Sequence, residues 1–148
     1  MRELATDRAG LEILHLGDCF LLLESVPLGR IGFVARGEVV ILPVNFLVDG
    51  QDVVFRTSPG SKLCAIEVGH FVGFEADSYD AGAKTGWSVV VNGLAEIVDS
   101  DAEAARLDGL GLTSWGSLAD GRVWVRIRPT SISGRRIPAA AQAAETSA

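Results

Sequence analysis

Residues 55–63 bring together the parts of a phosphate site. Arg56 follows the apolar run Val53–Phe55, at a strand end. Thr57 and Ser58 add two hydroxyls, Pro59 and Gly60 make a turn, and Ser61 and Lys62 stand where a helix would begin. An arginine offers a planar fork of donors matched to phosphate oxygens. Hydroxyls fill the remaining positions, and a helix N-terminus adds free N–H groups and a favourable dipole. The same residues would also make a capped turn with two solvated cations, and spacing alone leaves both readings open. The segment is not a Walker A loop, and no GxGxxG fingerprint of a dinucleotide fold is present.

Two other places could meet a ligand. Pro43, Val44 and Asn45 lie in an apolar run, where a buried amide must find hydrogen bonds or lose roughly 1–3 kcal/mol. Asn45 could meet the polar edge of a flat ligand or be satisfied by nearby backbone. Trp87 and Ser88 open a later strand and pair a stacking surface with a hydroxyl, although most tryptophans simply pack. Acid–base groups are few. His15 falls in an N-terminal helix and His70 precedes a strand. No Ser/His/Asp set, nucleophile elbow or paired carboxylates stand out, so no catalytic residue is assigned. That poverty suits a protein whose cofactor does the hard chemistry.

These residues need a scaffold, and the composition supplies one. The 148 residues predict a single domain, residues 1–137, followed by a disordered Ala-rich tail, 138–148. With 48% apolar residues a core is possible, and 17 glycines point to many turns and therefore many strands. A net charge of −6 argues against nucleic acid as a partner. Cys19 and Cys64 lie in apolar surroundings without a CxxC pair or a Cys/His cluster, which excludes a zinc-site pattern and predicts buried thiols in a reducing compartment. The acidic N-terminus lacks the apolar core of a signal peptide, and no run nears the ~20 apolar residues of a membrane span. A cytoplasmic protein with no membrane partner is expected.

Periodicity predicts a helix within residues 11–26, interrupted at Gly17 and restarted with Asp18 as N-cap. Strands follow over 30–35, 39–48 and 52–57, with turns at Arg36–Gly37 and Asp49–Gly50. Pro43 cannot donate to a ladder, so it should mark an edge, a bulge or an opening of the sheet. A short helix is expected after Ser58. Strands are then expected over 71–77 and 86–98, separated by a loop over 79–84, with Gly93 at a bulge. A helix over 99–110, capped by Asp99 or Ser100, and a last strand over 122–128 complete the order. In that strand Val123, Val125 and Ile127 share one side. Trp124, Arg126 and Arg128 share the other, which reads as a basic outer face together with Arg122, Arg135 and Arg136; some of these arginines could meet acids across a dimer interface. Six antiparallel strands with short helical connections favour a mainly β, nearly closed barrel, because closure removes sticky edges.

In residues 26–34, 42–46, 54–63, 72–77 and 86–95 the sequence resembles the pyridoxamine 5′-phosphate oxidase-like, FMN-binding split barrels, close to the nitroimidazole-reductase-like branch. It departs from that branch at Arg56, where histidine is often found. The resemblance implies a six-stranded antiparallel split β-barrel and an FMN-dependent oxidoreductase acting on a small-molecule acceptor. NAD(P)H is a possible donor. It implies that Pro43, Val44 and Asn45 face the flavin ring, partly through backbone groups. Phe55, Arg56, Thr57, Ser58, Ser61 and Lys62 would form the phosphate segment. Trp87 and Ser88 would close the site from the partner subunit of a homodimer, giving two equivalent sites. Related barrels bind a deazaflavin or haem, which leaves a non-catalytic carrier or sensor as the alternative; a cofactor-free dimeric module is the third reading. Few residues follow Ile137, so vitamin B6 oxidation is not expected.

Overall fold

The computed structural model describes residues 3–59, 70–116 and 123–139. Its elements run β1 (Glu12–Ile13), α1 (Leu16–Glu24), β2 (Leu28–Ala35), β3 (Glu38–Asn45), β4 (Leu47–Asp49), β5 (Asp52–Thr57), β6 (His70–Asp80), β7 (Thr85–Ile97), α2 (Asp101–Asp108) and β8 (Val123–Ile137). The strands form one antiparallel sheet in the order β3-β2-β6-β7-β8-β5-β4, with β1 added on β8. The two strands at the ends of this order, β3 and β4, are separated in the chain only by Phe46. In a flat sheet six strand spacings of about 4.8 Å would hold the ends about 29 Å apart, and one residue spans only about 3.5 Å. The sheet must therefore curl until its ends meet. The result is a split barrel whose seam runs beside Phe46.

Alternate residues of the strands fill the barrel: Ile31 and Phe33, Val53 and Phe55, Val72 and Phe74, Val89 and Val91, Val125 and Ile127 are all buried. Leu14 ahead of α1, with Cys19 and Leu23 on it, joins the same core. Phe46 turns inward at the seam, edge-on to Phe74 with ring centroids 4.8 Å apart. A second, smaller cluster of Val54, Leu107 and Trp124 lies where α2 packs on the outside of β5 and β8. Ser100 caps α2, its Oγ accepting the Glu103 N–H at 3.3 Å. Among the described residues no helix is long and apolar enough to cross a membrane.

Several expectations are corrected here. Among the described residues eight strands stand where six were expected. Within residues 11–26 only Leu16–Glu24 is helical, while Glu12 and Ile13 form a strand opposite Arg136 and Arg135. His15, not Asp18, holds the N-cap position, without a side-chain cap bond; Asp18 sits in the first turn. The run 39–48 breaks at Phe46 because the chain there leaves one end of the sheet for the other. The fourth strand continues through Tyr79 to Asp80, taking in part of the expected loop. The last strand continues to Ile137, because β7 offers it a partner along its length. The helix expected after Ser58 falls outside the described residues, as do Cys64, Arg122 and nearly all of the expected tail.

Other expectations match. Pro43 lies on β3, an edge strand. Arg36 and Gly37 both have positive φ, 52° and 77°, and make the tight turn between β2 and β3. The β7–β8 register shifts between Asn92 and Gly93. A Cβ on Gly93 would run into the Arg128 carbonyl. Backbone offers no flexible end to move aside, so Gly93→Ala should destabilise by about 1–3 kcal/mol, read as a lower urea midpoint with an unchanged slope.

The arginines of β8 do not form a basic outer face. Arg126 is buried beneath α2, with Nη1 2.8 Å from Asp52 and Nη2 2.9 Å from Asp49 and 2.6 Å from Glu103. Arg106 on α2 also reaches Asp49, at 2.6 Å. Hydrogen bonds from Arg106, then from Arg126, hold the Asp49 carboxyl down at about 2. Arg128 pairs with Glu96, Arg135 with Asp7 and Arg136 with Glu12, all within the chain.

Candidate functional site

Alternation along β3 turns Val40 and Val44 inward and Val39, Ile41, Pro43 and Asn45 outward. Asn45 therefore stands outside the barrel, beside the seam. Its Nδ2 donates to the Pro27 carbonyl at 3.0 Å, and its Oδ1 accepts the Trp115 N–H at 2.9 Å. The amide is satisfied by backbone, one of the two fates open to it from sequence. Val44 and Phe55 are core residues, so only their backbone groups can face a ligand.

Arg56 lies across the seam on β5, opposite Trp124 of β8. Its guanidinium stacks on the Trp124 ring, 5.2 Å from the centroid, and its Nη2 donates to the Leu112 carbonyl at 2.7 Å. The cation is thus held in a fixed plane. Thr57 is buried and Ser58 half-buried directly after it. Ser61 and Lys62 lie outside the described residues.

One stretch of backbone ties these groups together. Residues 109–116 run from the end of α2, and Leu112 and Trp115 of this strap bind Arg56 and Asn45 respectively. Three residues of chain span at most about 10 Å, so two side chains from opposite ends of the sheet are held close together. Sequence reasoning did not single out Leu112 or Trp115. A lone tryptophan in a segment with Gly109, Gly111, Ser114 and Gly116 was the available signal.

Trp87 and Ser88 are elsewhere. Ser88 pairs with Asp77 on β6 and with Arg135 on β8. Both residues line a cavity of about 270 Å³ with Tyr79 and Arg136. From β3 to β7 there are three strand spacings, about 14 Å. Within one chain, then, Pro43, Asn45 and Arg56 are gathered at the seam, while Trp87 and Ser88 form a separate group. Between them the outer face exposes Val34, Val39, Ile41 and Phe71. It also carries Arg30, bonded to Glu75 and Asp77 at 3.1 and 3.2 Å. Burial and the neighbouring Asp77 push the Glu75 carboxyl up.

The family model of pyridoxamine 5′-phosphate oxidase matches residues 16–136. The chain belongs to the pyridoxamine 5′-phosphate oxidase family. Individual proteins are similar over most of the chain. The uncharacterized protein Rv0080 of Mycobacterium tuberculosis is 36% identical over 142 residues, 91% of this chain and 92% of its own. An FAD-binding protein of Mycobacterium smegmatis is 40% identical, with a TM-score of 0.73 over 85% of this chain and 99% of its own. A Corynebacterium glutamicum protein, provisionally named pyridoxamine 5′-phosphate oxidase, is 39% identical, with a TM-score of 0.76 over 86% and 98%. The match to the oxidase family spans the seam, Arg56, Asn45 and the Trp87–Ser88 group alike.

Proposed function

We propose that this protein is a flavin-dependent oxidoreductase with its cofactor bound between two copies of the chain. The observation that carries this reading is the likeness, at 40% identity and nearly full coverage, to an FAD-binding protein. The residues at the seam suit such a ligand. Arg56, held in a fixed plane, would take the phosphate together with Thr57, Ser58, Ser61 and Lys62. The edge backbone of β3 at Pro43 and Val44, with Asn45, would border the ring. FMN is the cofactor expected from sequence; FAD contains the same ring, ribityl chain and first phosphate, and these assignments concern that shared part. When bound, the flavin would supply hydride or electron transfer to a small-molecule acceptor, with NAD(P)H a candidate donor. The protein's own work is to bind, orient and exclude water.

The separation of Ser88 from Asn45 favours a homodimer. A partner laid on the apolar outer face of β3, β2 and β6 could bring its Trp87 and Ser88 to the seam. An exposed patch of this kind commonly marks an interaction surface. Ile41→Glu on that face should convert a dimer to a monomer by light scattering and release flavin with it.

The deciding experiment is an absorbance spectrum of the purified protein before and after adding FMN or FAD and desalting. Retained flavin bands, one equivalent per chain, support the reading, and mass spectrometry of the released cofactor names it. A protein that retains neither flavin overturns it. Turnover with NADH or NADPH and an artificial acceptor then separates an enzyme from a carrier, which would hold flavin with negligible turnover.

A further inference from the structure

Beside the seam lies a cavity of about 400 Å³, between the C-terminal end of α1, β4 and the strap. Leu23, Val26, Phe46, Val48 and Leu112 give it walls somewhat more apolar than polar, and Trp115 stands at its side. This volume falls in the range of small-molecule sites. Trp115 is 66% exposed, an unusual position for so large an apolar surface. It is not loosely placed, because its backbone N–H is bound to Asn45 Oδ1. A backbone fixed in this way sets where the indole leaves the chain beside the cavity, and only two side-chain torsions remain to be ordered when it stacks on a ligand.

The charge around the cavity selects what can enter. Glu24 is the one charged side chain among the described residues that line it. Leu23 and Glu24 are the last residues of α1, so the carbonyl end of that helix also borders the space and adds partial negative charge. Among the described residues no lining cation offsets either. A phosphate or carboxylate is therefore disfavoured here, in contrast to the Arg56 side of the strap.

We propose that this cavity binds a flat aromatic molecule carrying no negative charge, with Trp115 as its stacking wall. Its use as the acceptor site rests on the flavin reading; the binding itself does not.

The test uses two bicyclic probes of similar shape and opposite charge, N-methylquinolinium and naphthalene-2-sulfonate, added to the ¹⁵N-labelled full chain as purified. N-methylquinolinium should shift the Trp115 indole N–H and the Leu112 and Thr113 amides saturably. Naphthalene-2-sulfonate should bind roughly ten-fold more weakly. Trp115→Ala should weaken N-methylquinolinium about ten-fold, and Trp115→Phe, which keeps a ring, should restore most of the affinity with an unchanged spectrum elsewhere. Shifts centred on Trp87, equal or tighter binding of the sulfonate, or no saturable shift at millimolar probe would overturn the proposal. Flavin content, read by absorbance in the same samples, reports on the cofactor reading separately: a chain without flavin that still binds N-methylquinolinium would leave the cavity assignment standing.

Discussion

Arg126→Ala should melt roughly 10 °C or more below the parent protein. Arg126 is only 6% exposed and answers three carboxylates, Asp49, Asp52 and Glu103. Removing it leaves three acids facing one another under α2, with Arg106 on Asp49 and Glu103 and the more distant Arg128, 3.9 Å from Asp52, as nearby cations. Breaking a buried charge group by deleting one side typically costs about 3–5 kcal/mol. For a domain of this size each kcal/mol corresponds to about 2–4 °C. The pH dependence follows from Asp49, held at about 2 against an ordinary 3.8. A depressed carboxyl contributes stability that is complete above its unfolded value and lost as pH falls through the folded one. The parent should therefore weaken between about pH 4 and 2. The gap between parent and variant should be widest near neutrality and narrow in acid. Adding Asp49→Asn to the variant should recover part of the loss. Because the strap follows α2, amide exchange at residues 109–116 should quicken as well. A variant that melts with the parent at pH 7 would mean the cluster contributes nothing net.

The second large effect concerns the cofactor. Replacing Arg56 and Lys62 together by alanine should weaken flavin binding by about 10²–10⁴-fold, since each would remove a charge-assisted bond worth about 1.5–3 kcal/mol. Titration of the desalted protein with FMN or FAD, followed by fluorescence quenching, reads this directly. Arg56→Lys should recover less than the charge alone would predict, because an ammonium cannot reproduce a guanidinium plane set by Trp124 and Leu112. Comparable far-ultraviolet spectra would show that the fold persists. Unchanged affinity in the double variant would remove the phosphate assignment.

The sequence carried the local part of this architecture and missed what depends on remote partners. Turns at Arg36–Gly37 and Asp49–Gly50, the edge position of Pro43 and the irregularity at Gly93 were legible, because each follows from one or two residues and a backbone rule. Residues 129–134 look like a loop, with Pro129, Ser131, Ser133 and Gly134, yet they pair because β7 lies alongside. Glu12 and Ile13 become a strand only through Arg136 and Arg135, more than a hundred positions away. Alternation placed Arg126 on the correct side of β8 but could not say that α2 would cover that side. The site behaves in the same way. Arg56 and Asn45 stood out by type and setting. Trp115 did not, since its role depends on a backbone N–H meeting an amide seventy positions earlier.

The single-residue crossing at Phe46 has a consequence for what this scaffold can hold. It leaves β3 at the end of the sheet order, laddered on one flank to β2. If they meet the ligand, main-chain groups on the other flank would be recognition elements that no side-chain substitution can delete. A slot built from them would keep its dimensions while the residues at its two ends drift, so the occupant could change without the slot being rebuilt. On this view the barrel works like a socket: the backbone sets the width of the plug, and a few terminal side chains decide which plug is accepted.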